Sequence, residues 1–246
     1  MIPWRLTKLL IMTTLLSVYC LGQGSEIQSP SRNQADSAGN SSTMHRLSVL
    51  PAEWLIGPYI SRGKRDLHPL TNAERRQIYV RQTFLNAGAY ATRMFTAGID
   101  QARGEPDPWG SGIDGYGRRL ASRYGKFVIS NSIQATGNAV LGYEPRYDLC
   151  TCKGFWPRTR HAIIRNFVTY NETESELRPQ IALYAGALGS GMLSSIWLPE
   201  HRNVWRDGAK SMLGQVYVGV GVNLLREFAV DILHRVDRRK YPPREP

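Results

Sequence analysis

The sequence predicts a mainly α-helical bundle of about four to five helices, packed through glycine- and alanine-rich faces. Three observations lead there. Thr71-Asn72-Ala73-Glu74 is a capping box opening a long stretch with apolar residues at spacings of three and four. Small residues recur every four positions further on, as in Ala182, Gly186, Ser190 and Ser194. Gly/Pro-rich breaks separate these stretches, and period-two alternation is confined to one short run.

Residues 1–22 have the order of a secretory signal peptide: Arg5 and Lys8, then an uncharged apolar stretch from Leu9 to Leu21, then small residues. That stretch falls short of the ~20 residues of a bilayer span. Export follows as the expectation, with the bacterial periplasm or envelope membrane as the destination. Residues 23–50, rich in Ser, Asn, Gln and Gly, bury too little apolar surface to offset their ordering entropy and read as a disordered linker. Residues 51–240 read as a single helical domain, beginning with a Pro-interrupted segment that bears Trp54, Leu55, Ile56 and Tyr59.

Within the domain, the capping box predicts one helix to about Arg103, with Val80, Phe84, Ala87, Ala91, Met94, Phe95 and Gly98 as its apolar stripe. "GEPDPWGSG" breaks the chain. A second helix is expected from about Asp114 to Leu141, with Gly117, Ala121, Gly125, Val128, Ser132, Ala135, Ala139 and Gly142 as a small-residue stripe. After the cysteine loop, Pro157 suits the first turn of a short helix. The polar run "NETESE" is followed by an uncharged segment from Gln180 to Leu198, and the last element runs from about Val204 to Val236. Alternation of Val216, Val218, Val220 and Val222 is a strand signal, but the helical "LLREFAVDILHRV" follows directly and a hairpin partner is lacking. Helix is the expectation there. The length of Gln180–Leu198 also permits membrane embedding, which its glycines and serines oppose.

The strings "LTNAERRQIYVRQTFLNAGAYATRMFTAGIDQARG", "GYGRRLASRYGKFVISN", "GYEPRYDLC" and "GFWPRTRHA" together resemble an uncharacterised group of small exported bacterial envelope proteins. The likeness spans roughly Leu70 to Val236 and implies an envelope origin. It brings no activity, cofactor or site residue.

The net charge of +11 includes Arg5 and Lys8 of the signal-like segment. An exported cationic protein meets anionic lipid headgroups and acidic polymers, so nucleic acid is not expected as a partner. The candidate polyanion-binding residues are Arg118, Arg119, Arg123 and Lys126 on the second helix and Arg158, Arg160 and Arg165 after the cysteine loop. The alternative reading of these cations is a solvated surface. Arginines at a helix start oppose its dipole unless Asp148, Glu144 or an anionic ligand answers them.

Catalytic signatures are missing: there is no nucleophile elbow, His-Glu-x-x-His, phosphate loop or dinucleotide fingerprint. The reading therefore leans away from an enzyme and calls for no cofactor. Chemistry would centre on "RYDLCTCKGFWPRTRH", where Cys150 and Cys152 form a Cys-x-Cys pair followed by His161. Four uses stand open: a local or intermolecular disulfide, free thiols, a metal site that lacks a fourth ligand, and a redox centre. A bridge at i, i+2 needs a turn to bring the Cα atoms within range. The favoured function is a structural or associative one, at a membrane or with a protein partner or a second copy. The alternatives are a thiol-redox or metal-binding protein and an anionic lipid or polyanion binder.

Overall fold

A computed structural model describes residues 53–60, 67–173, 175–199 and 203–236. The signal-like segment, the linker, His45 and His201 lie outside the described residues. The chain is mainly helical. A helical turn at 53–56 leads into β1 (Tyr59–Ile60). Then come α1 (Asn72–Phe84), α2 (Ala87–Arg103), a single 3-10 turn, α3 (Ile113–Leu141) and β2 (Tyr147–Asp148). They are followed by α4 (Phe155–Ile164), β3 (Val168–Tyr170), β4 (Leu177–Pro179), α5 (Ile181–Ser194) and α6 (Val204–Val236).

The capping box forms as its residues require. Thr71 Oγ1 accepts the Glu74 N–H at 3.3 Å, and Glu74 Oε2 accepts the Thr71 N–H at 2.9 Å. The helix it opens stops at Phe84, where one continuous helix to Arg103 was expected. Asn86 is the reason: its side chain accepts the Ala89 N–H at 3.0 Å and caps a new helix, α2. Gly88 then lies against the Leu55 carbonyl, where a Cβ would collide. Arg119 holds the loop that ends α2. Its buried guanidinium donates to the carbonyls of Glu105 (2.8 Å), Gly110 (2.7 Å) and Pro106 (3.1 Å) and to Gln101 Oε1 (2.6 Å).

α3 is the central element, packing against α1, α2 and α5, while α5 packs in turn against α6. The four-residue repeat of α5 is its buried face: Ala182, Gly186, Ser190 and Ser194 all lie inside. A Cβ on Gly186 would sit 2.5 Å from the Ser130 carbonyl oxygen, so glycine sets how close α5 comes to α3. On α3 the matching position is Gly137, whose Cβ would meet that of Ala182 at 2.8 Å. The expected small-residue stripe of α3 is corrected in its first half, because Gly117 and Gly125 face open space. The Val216–Val222 alternation lies within helix α6.

No helix among the described residues is long and apolar enough to cross a membrane, so the embedding expected as an option for Gln180–Leu198 is set aside. The glycines and serines that weaken insertion are the residues that α3 and α6 cover.

Burial runs against the usual order. Among the described residues the largest fully buried side chains are Arg119, Glu227, Asn166, Thr83, Ser190 and Ser194. Val80, Phe84, Met94 and Phe95, four members of the predicted apolar stripe, are exposed instead, and the buried positions of α1 and α2 are Thr83 and Ala97. A small cluster of Ile56, Tyr147 and Leu149, flanked by Tyr59 and Ala229, is where β1, β2 and α6 meet. That cluster underlies the cysteine loop.

Candidate functional site

The N-terminal edge of the cysteine loop is held by backbone. β2 pairs in parallel with β1, Tyr59 opposite Tyr147 and Ile60 opposite Asp148, and the Leu149 N–H donates to the Ile60 carbonyl at 2.9 Å. Cys150 then turns under α6, where its N–H meets a carboxylate.

That carboxylate is Glu227, which has no exposed surface. Its Oε1 accepts the Tyr147 hydroxyl at 2.9 Å and the Cys150 N–H at 2.9 Å, and lies 3.1 Å from His161 Nδ1. The other imidazole nitrogen, Nε2, lies 3.3 Å from Asp148 Oδ2. Arg165 Nε donates to Asp148 Oδ1, and Arg158 Nη2 donates to the Glu227 carbonyl with its Nε 3.6 Å from Oε2. Arg226, one residue before Glu227, donates to the Ile56 carbonyl at 2.8 Å. Three elements, β2, α4 and α6, are thus joined through one ion-paired cluster.

A histidine between two carboxylates is stable only as the doubly protonated imidazolium. Burial pulls the His161 pKa down, but the hydrogen bonds and charges of Asp148 and Glu227 outweigh it and raise the pKa to about 9. Burial pushes the Glu227 carboxyl up, and the bonds from His161, Cys150 and Tyr147 carry it below its ordinary value. At neutral pH the cluster holds its proton. A general base needs a pKa near the working pH and a free lone pair, so His161 is placed as a structural cation.

Cys150 and Cys152 are joined by a disulfide, with Cα atoms 5.2 Å apart. Of the four open uses, a local disulfide is the one observed. The metal candidate Cys150/Cys152/His161 is corrected, since the sulfurs are bonded to each other and the imidazole faces two carboxylates. No group of three or more His, Cys, Asp or Glu among the described residues is placed to hold a metal ion. The bridge is a weak staple. A ring closed over three residues removes little unfolded-state entropy, about 1.6 kcal/mol against about 4.7 for a 100-residue loop. Cys150 is buried, Cys152 is half-buried, and Thr151, Lys153 and Gly154 are exposed.

The polyanion candidates divide by burial. Arg158 and Arg165 are buried on Glu227 and Asp148, Arg119 is buried in loop carbonyls, and Arg123 forms a two-point pair with Asp100 at 2.6 Å on each bond. Arg119, Arg158 and Arg165 are corrected from surface cations to internal ones, while Arg123 stays partly exposed with its charge paired. Arg118 and Arg160 are exposed and Lys126 is half-buried. Of the three arginines expected at a helix start, Arg158 is answered by Glu227, Arg160 is exposed, and Arg165 stands instead at the C-terminal end of α4, paired with Asp148. Glu144 pairs with Arg146 at 2.8 Å. Glu227 was the residue the sequence reading missed. It lies inside the helical run "LLREFAVDILHRV", where a carboxylate reads as one more solvated charge.

A second feature lies on α6. Trp205, Ala209, Leu213, Tyr217, Gly221 and Leu225 follow one another every four residues, and all are exposed. Leu213 is 57 %, Tyr217 78 % and Leu225 65 % accessible. Gly208, Gly219, Asn223 and Glu227 point inward, and because a four-residue step advances about 40° round a helix, the part of the row that stands away from them is Leu213 to Leu225. Beyond Gly214 and Gly221 there is open space where a Cβ would point.

No family model, no curated protein and no solved structure matches this chain.

Proposed function

We propose that the protein is an associative subunit whose α6 outer face packs against the same face of a second copy. The observation behind this is the middle of α6: Asn223 and Glu227 point inward, while Leu213, Tyr217 and Leu225 point outward. Scattered exposed leucines are ordinary, but a contiguous apolar stripe is a contact surface in search of a partner. The thirteen residues from Leu213 to Leu225 span about 20 Å. Their i, i+4 row is a ridge of Leu213, Tyr217 and Leu225 with a gap at Gly221, and Gly214 leaves a second gap beside it. Ridge and gap on one face are self-complementary, which is the requirement of a two-fold contact. The charge-free middle of α6, Ser211 to Leu225, lets two such faces meet without like charges.

Export to the envelope, as the signal-like residues 1–22 suggest, belongs to the same proposal and puts the subunit beside a membrane. The test is a photo-crosslinking amino acid at position 217. It is expected to yield a covalent dimer of the full-length protein. Recovery of monomer alone, or crosslinks to lipid alone when vesicles are supplied, would contradict the pairing.

A further inference from the structure

The Cys150–Cys152 bridge contributes little as a staple, because its ring is small and because the loop is anchored without it. The Leu149 N–H holds to β1 and the Cys150 N–H holds to Glu227, so both contacts survive when the sulfurs part. Glu227 is in turn counterbalanced by His161 and Arg158. The two sulfur-bearing residues are also unequal: Cys150 is buried under α6, while Cys152 is half-buried between the exposed Thr151 and Lys153. The Cys152 N–H points at Cys150 Sγ across 3.3 Å, a donor placed to support charge on that sulfur. Beside the loop, Phe155 and Trp156 stand exposed, edge to face with centroids 5.6 Å apart, and Phe155 stacks on Phe228. An exposed aromatic ledge beside an accessible bridge suits an extended polypeptide.

We infer that Cys150–Cys152 is an exchangeable disulfide, which accepts electrons from a pair of cysteine thiols on a polypeptide laid across Phe155 and Trp156. The partner's thiolate attacks Cys152 Sγ in line with the bridge. A bond forms between the partner sulfur and Cys152, the Cys150–Cys152 bond breaks, and its electron pair leaves on Cys150 as thiolate, which then takes a proton from solvent. The partner's second thiol, once deprotonated, attacks the partner sulfur of the mixed disulfide and releases Cys152 as thiolate. The partner has lost two electrons and gained a disulfide, and this protein has gained two electrons and become a dithiol. Cys150 is the leaving sulfur and Cys152 is the entry sulfur.

The experiment uses the full chain with Cys20→Ser, so that only these two cysteines report. In millimolar reduced glutathione, alkylation and intact mass are expected to show both thiols, with far-UV circular dichroism unchanged. Cys150→Ser, which leaves Cys152 free, is expected to capture a peptide carrying an activated aromatic disulfide roughly ten-fold faster than Cys152→Ser, which leaves Cys150 free. Trp156→Ser is expected to slow capture of an aromatic peptide while leaving capture of glutathione disulfide unchanged. A bridge that resists reduction, a helical signal that collapses on reduction, or equal capture by the two single-cysteine variants would each overturn the assignment.

Discussion

Glu227 has no contact with water, so the whole of its charge must be met by neighbours, and those neighbours define what the residue does. It fastens the cysteine loop through Tyr147 and Cys150 and fastens α4 through His161 and Arg158. Removing one partner of such a pair leaves the others charged and unanswered. Glu227→Ala is therefore expected to destabilise the fold by about 3–5 kcal/mol in denaturant unfolding, while the larger exposed Glu176 site tolerates alanine. His161 gives the same cluster a pH dependence. Its folded pKa of about 9 lies above the ordinary histidine value, so the stabilisation is complete below about pH 6.5 and is lost as the pH rises through 9. The loss is of order 3 kcal/mol across that window, and His161→Gln is expected to abolish it. The Glu227 pKa moves the other way, so its contribution is present above about pH 4.5 and fades only as the pH falls through its lowered folded value. Unfolding midpoints measured from about pH 2 to pH 10 check both limbs. Of this cluster, Asp148, Arg158, His161 and Arg165 were legible as residues of interest because they crowd a short stretch around two cysteines. Glu227 was not, because it comes from a helix 66 residues beyond His161 and its burial depends on tertiary packing alone.

Among the helices, glycine has two opposite uses that the sequence does not distinguish. Gly186 and Gly137 lie at the close contact of α3 and α5, while Gly117 and Gly125 face open space on the same α3. Gly186→Val is expected to cost about 1–3 kcal/mol, because the extra carbons meet the Ser130 carbonyl. Gly117→Ala is expected to be neutral or stabilising by up to about 1 kcal/mol, since it gains helix propensity and strikes nothing. Thermal unfolding of the two variants separates the uses. The four-residue repeat of α5 identified its buried face because every member is small and no competing face exists in that uncharged run. The same logic failed on α3, where small residues lie all round the helix and periodicity alone does not select the covered side. It failed on α1 and α2 for a different reason: Asn86 split the helix and reset its phase, and Thr83 rather than Phe84 turned inward. Two helix limits fared better: the Thr71 cap opens α1 as read, and α3 ends at Leu141 as expected, with Gly142, read as a stripe residue, capping it in the left-handed conformation.

At the level of the whole molecule, the described residues bury Arg119, Asn166 and Glu227 beside a small apolar core while Trp205, Tyr217 and Leu225 stand exposed, so large apolar side chains are left unburied within one copy. The missing burial is supplied, on this account, when two α6 faces meet. That places stability and association in one equilibrium, so unfolding midpoints are expected to rise with protein concentration. Sedimentation velocity of the full-length protein, compared with Tyr217→Lys, measures the central claim directly. The wild type is expected to sediment as a dimer, and the variant as a monomer with the same circular dichroism, through a loss of roughly thirty-fold or more in association. A wild type that stays monomeric at high concentration, or a Tyr217→Lys variant that dimerises as well as the wild type, would contradict it.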